Sequence, residues 1–506
     1  MRAAAWNWIF GLPLLGCGST LAIPGGLGAL EASDTSAPPA PAGWLIGDEE
    51  PCAAPVSPAW RDASPTVMPE RSGDHDAPMA LVAGPAGPSV VHTVDLRGLV
   101  QRSLTTSAVE ASVQFAMPVH AFRTADLDGD GLLDLVVATD EVYLVWGFGS
   151  PSQRTELLRG VDRPGEVNKV AVLDVDDDGA LDLVTLTTDH AGQADMGAEL
   201  WRGAGDGTFA APRTLGQAGD WGQVFDARVV DLDGDHDLDL YVCNDDGERV
   251  VGNKVVENDG KGGLAVGEGQ GLDIAVSCMG STFGDLNADG ELDAWVGALD
   301  RQHLLLADGR GGHYDAAAAW GLLPFAPHQM AWGGAMVDLD NDGLEDLLAA
   351  TSDFPGAVPV ALPLLAFLQD QPGHLRPAET ELGLVAVSAP RGVLARDLNA
   401  DGLVDLLVSD MLRSPWLFLS EGCSEEAWLE VSAPDGAWVR VEAGGRTRVA
   451  LASAEPTFSA AGSPVVHFGL GAAEEIDAIV IEAPGQPTTR LEGPLSPRRR
   501  VAWSAP

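Results

Sequence analysis

Six loops of alternating acids recur along this chain, and each runs directly into a β-forming segment. They are Asp126-Leu-Asp-Gly-Asp-Gly-Leu-Leu-Asp134, Asp174-Val-Asp-Asp-Asp-Gly-Ala-Leu-Asp182, Asp231-Leu-Asp-Gly-Asp-His-Asp-Leu-Asp239, Asp285-Leu-Asn-Ala-Asp-Gly-Glu-Leu-Asp293, Asp338-Leu-Asp-Asn-Asp-Gly-Leu-Glu-Asp346 and Asp397-Leu-Asn-Ala-Asp-Gly-Leu-Val-Asp405. Their first residues lie 48, 57, 54, 53 and 59 apart. Repeats of this period build propellers or solenoids, in which each unit buries its apolar face against the next.

The grammar around each loop selects the propeller. A short apolar segment enters the loop, as at Gly392-Val-Leu-Ala-Arg396, and a Leu/Val-rich segment leaves it. A third segment follows, such as Tyr143-Leu-Val-Trp146, Glu199-Leu-Trp201 or Trp416-Leu-Phe-Leu419. Asp206-Gly207, Asp259-Gly260 and Asp308-Gly309 then signal hairpin turns, because Gly tolerates positive φ. Four strands per unit is one blade. The expected fold class is therefore all-β: a propeller of six or seven four-stranded blades over residues 89–421, with a seventh needing no acidic loop. The sixth unit lacks a last strand, and Ser89-Val-Val-His-Thr-Val94 is expected to supply it and close the ring.

Numbered 1 to 9 from the first Asp, each loop places side-chain oxygens at 1, 3, 5 and 9 and a backbone carbonyl at 7. The candidate metal ligands are Asp126, Asp128, Asp130, Leu132 and Asp134; Asp174, Asp176, Asp178, Ala180 and Asp182; Asp231, Asp233, Asp235, Asp237 and Asp239. The later loops contribute Asp285, Asn287, Asp289, Glu291 and Asp293; Asp338, Asp340, Asp342, Leu344 and Asp346; Asp397, Asn399, Asp401, Leu403 and Asp405. Spacing 1, 3, 5, 7 resembles the start of an EF-hand loop, but the flanks read as strands and the Glu at position 12 is missing. Three or four carboxylates at this spacing repel unless a cation or protons neutralise them. Up to six Ca²⁺ ions are expected; Mg²⁺ rarely uses an all-protein cage. Asn287 and Asn399 keep the oxygen but remove a charge, so the fourth and sixth sites should be weaker. A single copy would read equally well as a solvated turn.

The 506 residues carry 75 acids against 29 Lys and Arg, a net charge of −46. Such a surface repels nucleic acid and anionic membrane. The 45% hydrophobic share and the apolar runs argue against disorder.

Residues 1–17 read as an export signal: Arg2, an apolar stretch too short to span a bilayer, then Leu14-Leu15-Gly16-Cys17. That ending resembles a bacterial lipobox, with Cys17 as the lipidated residue; the alternative is an ordinary secretory signal cut near Thr20-Leu21-Ala22. Residues 18–88, rich in Ala, Pro and Gly, are expected to form a flexible tether. The lipid would be the only membrane attachment, and the expected location is the outer membrane or cell surface, otherwise the secreted fraction. Cys52, Cys243, Cys278 and Cys423 remain. An even number in an oxidising compartment permits disulfides, expected as Cys243–Cys278 and Cys52–Cys423, with buried free thiols as the alternative.

Residues 424–503 lose the acidic loops and alternate with period two, as in Trp428-Leu-Glu-Val431, Trp438-Val-Arg-Val441, Thr447-Arg-Val-Ala-Leu451 and Ile479-Val-Ile481. A second, smaller β domain is expected.

The repeats resemble the FG-GAP or VCBS repeats of integrin α-subunit propellers and secreted bacterial proteins, including the Gly-Asp-Gly-Thr-Phe209 turn. Residues 424–503 resemble the ASPIC/UnbV domain of cartilage acidic protein and its bacterial relatives, through Trp428-Leu429, Gly436-Ala437-x-Val439-x-Val441, His467-Phe-Gly-Leu-Gly471, Ile476-Asp477 and Pro484-Gly485. Glu482-Ala483 stands where that family usually has a Trp before Pro.

The resemblance implies a calcium-binding extracellular protein of adhesion, protein interaction or envelope assembly, with a protein or glycan partner. No Gly-x-Ser-x-Gly, His-Glu-x-x-His or Gly-x-x-x-x-Gly-Lys-Ser/Thr pattern is present, so no catalytic residue is assigned. The alternatives are a secreted enzyme or a carbohydrate-binding protein using the propeller as scaffold. His236, in the third loop, is expected to face solvent, and His467 to pack.

Overall fold

A computed structural model of the chain describes residues 43–50, 52, 60–63, 78–85, 87–159, 166–188, 197–216, 220–322, 325, 329–353, 362–384, 386–387, 389–413, 415–420, 422–454, 457–458 and 460–504. The signal segment 1–17 with Cys17 lies outside them. The described residues hold no helix.

Each acidic loop joins the first two strands of a four-stranded antiparallel sheet. In the first sheet these are Ala121–Ala125 and Asp134–Ala138, followed by Val142–Trp146 and Arg154–Arg159. The first two strands run through the core, so both faces are apolar: Leu135, Val136, Val137 and Ala138 are all fully buried. Successive inner strands pack side by side, from Ala121–Ala125 through Glu166–Leu173, Gln223–Val230, Cys278–Gly284 and Gln329–Val337 to Pro390–Arg396. A further sheet without an acidic loop, Met79–Gly84, Gly87–Val94, Gly98–Ser103 and Val109–Gln114, stands between the last of these and the first. Among the described residues, seven such sheets follow one another around the propeller.

Two expectations need correction. Ser89–Val94 does not complete the sixth blade. It is hydrogen-bonded to Met79–Gly84 on one edge and Gly98–Ser103 on the other, so neither edge is free. The missing strand is Trp60–Asp62, paired antiparallel with Trp416–Ser420. Trp60 anchors it: the ring is 5% exposed and Nε1 donates to the Val404 carbonyl at 2.8 Å.

Nor is 18–88 wholly a tether. Trp60–Asp62 and Met79–Gly84 lie within it, and so does Trp44–Ile46, which extends a sheet of the second domain by pairing with Arg499–Trp503. Single buried Trp residues, Trp44 and Trp60, anchor two of these strands in a Pro- and Ala-rich background, and an average over composition hides them.

The second domain is two four-stranded sheets. One is Trp44–Ile46, Arg499–Trp503, Ala427–Ser432 and Val465–Gly471; the other is Arg446–Ala452, Ala437–Ala443, Ile476–Glu482 and Thr489–Leu495. Leu429, Val431, Val439, Val441, Ile479 and Ile481 fill the space between them at 0% exposure. Alternation along each strand produces that one-sided core.

A segment leaving this domain enters the propeller axis. Thr457 and Ala460 form a bridge near its tip, and Ala460–Ala461 pairs in parallel with Met79 and Ala80. Phe458 is fully buried against Phe225, Trp332 and the Lys169 ammonium, 5.0 Å from its ring. Thr457 accepts the Gly334 amide at 3.0 Å on its hydroxyl and an Arg228 hydrogen bond on its carbonyl. The channel is therefore occupied by the chain's own hairpin.

Two disulfides complete the frame. Cys243–Cys278 joins the third and fourth blades, and Cys52–Cys423 ties the N-terminal segment to the end of the sixth.

Candidate metal centres on the loop face

One hydrogen-bond pattern shapes all six loops. The position-1 carboxylate accepts the position-6 amide: Gly131 on Asp126, Gly179 on Asp174, His236 on Asp231, Gly290 on Asp285, Gly343 on Asp338 and Gly402 on Asp397, at 2.7–3.1 Å. Position 6 therefore takes a positive φ, reaching 74° even at His236. Position 5 accepts the position-7 amide, as Leu132 on Asp130 at 2.8 Å and Glu291 on Asp289 at 2.9 Å.

Position 9 has a role that the motif alone does not reveal. Its two oxygens accept one amide from the loop and another from the end of the third strand. Asp134 takes Leu127 and Gly147, Asp346 takes Leu339 and Gln369, and Asp405 takes Leu398 and Ser420. The buried Asp at this position thus holds the loop onto the blade as well as facing the site.

In four loops the carboxylates at 1, 3 and 9 converge, with ligand oxygens all within 4.8 Å of one another: Asp126, Asp128 and Asp134; Asp174, Asp176 and Asp182; Asp231, Asp233 and Asp239; Asp338, Asp340 and Asp346. Position 5 stands outside these triads, tied to its own loop. In the fourth and sixth loops the Asn amide at position 3 turns onto position 5 instead, Asn287 to Asp289 at 2.9 Å and Asn399 to Asp401 at 3.0 Å.

Burial makes these charges costly. Desolvation, opposed by the amide bonds and reinforced by neighbouring acids, pushes Asp239, Asp285, Asp293 and Asp401 up to about 7. Asp338, 3% exposed, is driven well above the carboxylate range by burial and by Asp340 and Asp342. Its Oδ1 is buried with no hydrogen-bond partner. Converging, desolvated, unpartnered oxygens are the donor set that a hard divalent cation takes. The residues at 1, 3 and 9 fit Ca²⁺.

The second domain lies over these loops. Trp438 Nε1 donates to Asp231 Oδ2 at 2.6 Å, His467 Nε2 meets Asn341 Oδ1 at 2.7 Å, and Gly471 donates to the Asn341 carbonyl at 2.9 Å. Arg500 reaches Asp397 Oδ2 at 2.5 Å while also holding Glu430 and Glu50. A guanidinium therefore already neutralises position 1 of the sixth loop. His467 stacks on Trp428, and burial with Arg500 and Arg396 nearby lowers its pKa to about 3. His236 is 44% exposed at its side chain, with Nδ1 3.7 Å from Asp231 Oδ2. The alternation of the second domain marked its strands, but no sequence signal identified Trp438, Arg500 or His467 as partners of the loops.

Fold and loops together define an all-β repeat propeller with acidic loops, four of which bring three carboxylates close enough to share one ion. The chain carries FG-GAP-like repeats, matched at residues 174–242, 231–296 and 338–408, and a C-terminal ASPIC and UnbV domain, matched at 433–499. No curated protein sequence matches it. Among solved structures, it is similar to an Agrocybe aegerita lectin described as recognising non-reducing terminal N-acetylglucosamine, at 16% identity and TM-score 0.40, covering 72% of this chain and 94% of that one. It is also similar to the WD40 β-propeller domain of Doa1, at 14% identity and TM-score 0.41, covering 72% and 98%. Among the described residues no helix is long and apolar enough to cross a membrane, and the two disulfides suit an oxidising compartment.

Proposed function

We propose that this protein is a non-catalytic, calcium-stabilised propeller, exported from the cytoplasm, that acts in adhesion, protein interaction or envelope assembly. Export as a lipoprotein through Cys17 belongs to the same reading. The observation that carries it is the position of the second domain, which covers the loop face and sends Phe458 into the axis. Phe458, Phe225 and Trp332 pack together in the central channel, where a scaffolded enzyme would place convergent polar groups. The blade rims and the face opposite the loops are left to meet a protein or glycan. Calcium in the first, second, third and fifth loops would bind only the folded ring and so stabilise it, by about 2.7 kcal/mol per site at a hundredfold excess over Kd.

The test pairs two measurements on the full chain. Calorimetric titration should show four tighter calcium sites and weaker or absent binding at the Asn loops. Capture from envelope extracts should recover the same partner with calcium and lose it in chelator. A melt unchanged by chelator would falsify structural calcium, and hydrolysis of an envelope polysaccharide by the purified chain would refute the non-catalytic reading.

A further inference from the structure

The second domain does not rest evenly on the loops. Besides Arg500 on the sixth, it grips the third and the fifth, both of which carry a converged carboxylate triad. Trp438, on the strand Ala437–Ala443, donates its Nε1 hydrogen to Asp231 Oδ2 at 2.6 Å. The same oxygen takes the His236 amide at 3.1 Å, and Oδ1 takes the Gly234 amide at 2.8 Å. These donors fix a carboxylate that is 1% exposed, and its oxygens keep lone-pair capacity for an ion.

The fifth loop is held through position 4. That position takes a positive φ in all six loops, and in the fifth it is Asn341, at 64° and 1% exposed. Gly129 and Gly234 stand there in the first and third loops, so the turn itself does not require Asn. The Asn341 side chain is committed elsewhere. Nδ2 donates to the Gly402 carbonyl of the sixth loop at 3.0 Å, and Oδ1 meets His467 Nε2 at 2.7 Å. Its backbone carbonyl takes the Gly471 amide at 2.9 Å. One loop residue therefore joins two blades and the second domain.

Gly469 stands between His467 and Gly471 on the strand Val465–Gly471. A Cβ at residue 469 would overlap the Asp338 carboxylate, so this strand lies directly against position 1 of the loop. Asp338 lines a cavity of about 30 Å³ with Arg448, Phe468 and Gly469 of the second domain, and its Oδ1 is buried with no hydrogen-bond partner. An ion on Asp338, Asp340 and Asp346 would sit under the second domain. The first loop differs, lying against Gly205 and Gly207 of the second blade.

We propose that ions in the third and fifth loops lock the second domain onto the propeller, with Trp438 and Asn341 as the positioning residues. The inference rests on the calcium reading of the loops. Trp438 orients a ligand carboxylate, and Asn341 holds the fifth loop in the shape the Val465–Gly471 strand accepts. Whatever affinity the docked domain adds for the ion, the ion returns to docking, because coupling between two binding equilibria is reciprocal. Removing the ions then loosens the hairpin that carries Phe458 into the axis.

Calcium titration and hydrogen exchange of the full chain test this. Wild type is compared with Trp438→Phe, Asn341→Gly and Asp128→Asn, the last altering a first-loop carboxylate away from the second domain. Trp438→Phe keeps an aromatic ring and loses the donated hydrogen. It should weaken one ion by roughly 10- to 100-fold, as removal of a ligand's supporting partner does. Asn341→Gly keeps the positive φ and should weaken a different ion by roughly 5- to 150-fold through lost coupling. The Ala460 and Gly462 amides, bonded to the Thr457 and Ala454 carbonyls, report the hairpin. Their exchange should be slow in calcium, and faster in chelator and in both variants at limiting calcium. The inference is overturned, and the loop reading stands, if both variants keep wild-type affinities or if hairpin exchange is the same in calcium and chelator. It is also overturned if Asp128→Asn frees the hairpin as much as Asn341→Gly does. A wild-type chain that binds no calcium overturns both.

Discussion

Phe458 of the second domain stacks on Phe225 of the third blade, with centroids 5.6 Å apart and planes 11° apart. This contact, deep in the axis, joins the second domain to the propeller. Phe458→Ala removes a fully buried ring between Phe225, Trp332 and Lys169, and should cost about 3–5 kcal/mol. Denaturant unfolding should show one transition for the wild type, and for the variant a lower midpoint or a separate early transition. An unchanged midpoint would argue that the hairpin is only loosely seated.

Position 6 of the third loop carries strain that the other loops avoid. His236 holds φ at 74°, where the other five copies have Gly. His236→Gly should raise stability by about 1 kcal/mol, because Gly enters the left-handed region without a Cβ clash. The melting temperature in saturating calcium is the measurement, and a fall would mean that the imidazole beside Asp231 is worth more than the strain.

The buried acids predict an unusual pH profile without metal. For Asp239, Asp285, Asp293 and Asp401, the folded state raises the pKa from 3.8 to about 7. The folded chain then binds more protons than the unfolded chain between those values, so stability falls as pH rises through the window. Their contribution is fully present below pH 3.8 and lost above about 7. Melting in chelator should therefore drop from pH 5 to pH 8. With calcium the drop should vanish or reverse, because the ion binds the deprotonated loops and competes with the protons. A chelated melt that rises over this range would contradict the burial of these charges.

Cys52–Cys423 closes a loop of 371 residues across the ring and flanks the pairing of Trp60–Asp62 with Trp416–Ser420. Replacing both cysteines with Ser should destabilise by roughly 3–5 kcal/mol, chiefly by freeing the unfolded chain. Limited proteolysis should then cut near residue 60 before the rest of the ring. Equal resistance would mean that Trp60 alone holds the closing strand.

Much of this was readable from residue order because it depends on neighbours in sequence. The Asp-rich loops repeat at a fixed period, and apolar segments flank them. Both follow from local chemistry: a tight turn favours Gly at position 6, and a strand buried on both faces favours Leu and Val. Carboxylates at positions 1, 3 and 9 meet in four loops because the position-1 carboxylate holds the position-6 amide and folds the loop back on itself.

What tertiary structure alone decided are the pairings across hundreds of residues. Trp60, not Ser89–Val94, closes the sixth blade because strand edges are assigned by the whole ring, and both edges of Ser89–Val94 were already used. Arg500 on Asp397, Trp438 on Asp231 and His467 on Asn341 join residues whose local patterns say only strand or loop. A hydrogen bond or an ion pair depends on distance in space, and the docking of the second domain sets that distance for Arg500 and Trp438. In sequence the six loops are a repeated acidic motif with nothing to mark them as a surface for another domain. The fold makes them a partly covered interface, with a hairpin through its centre.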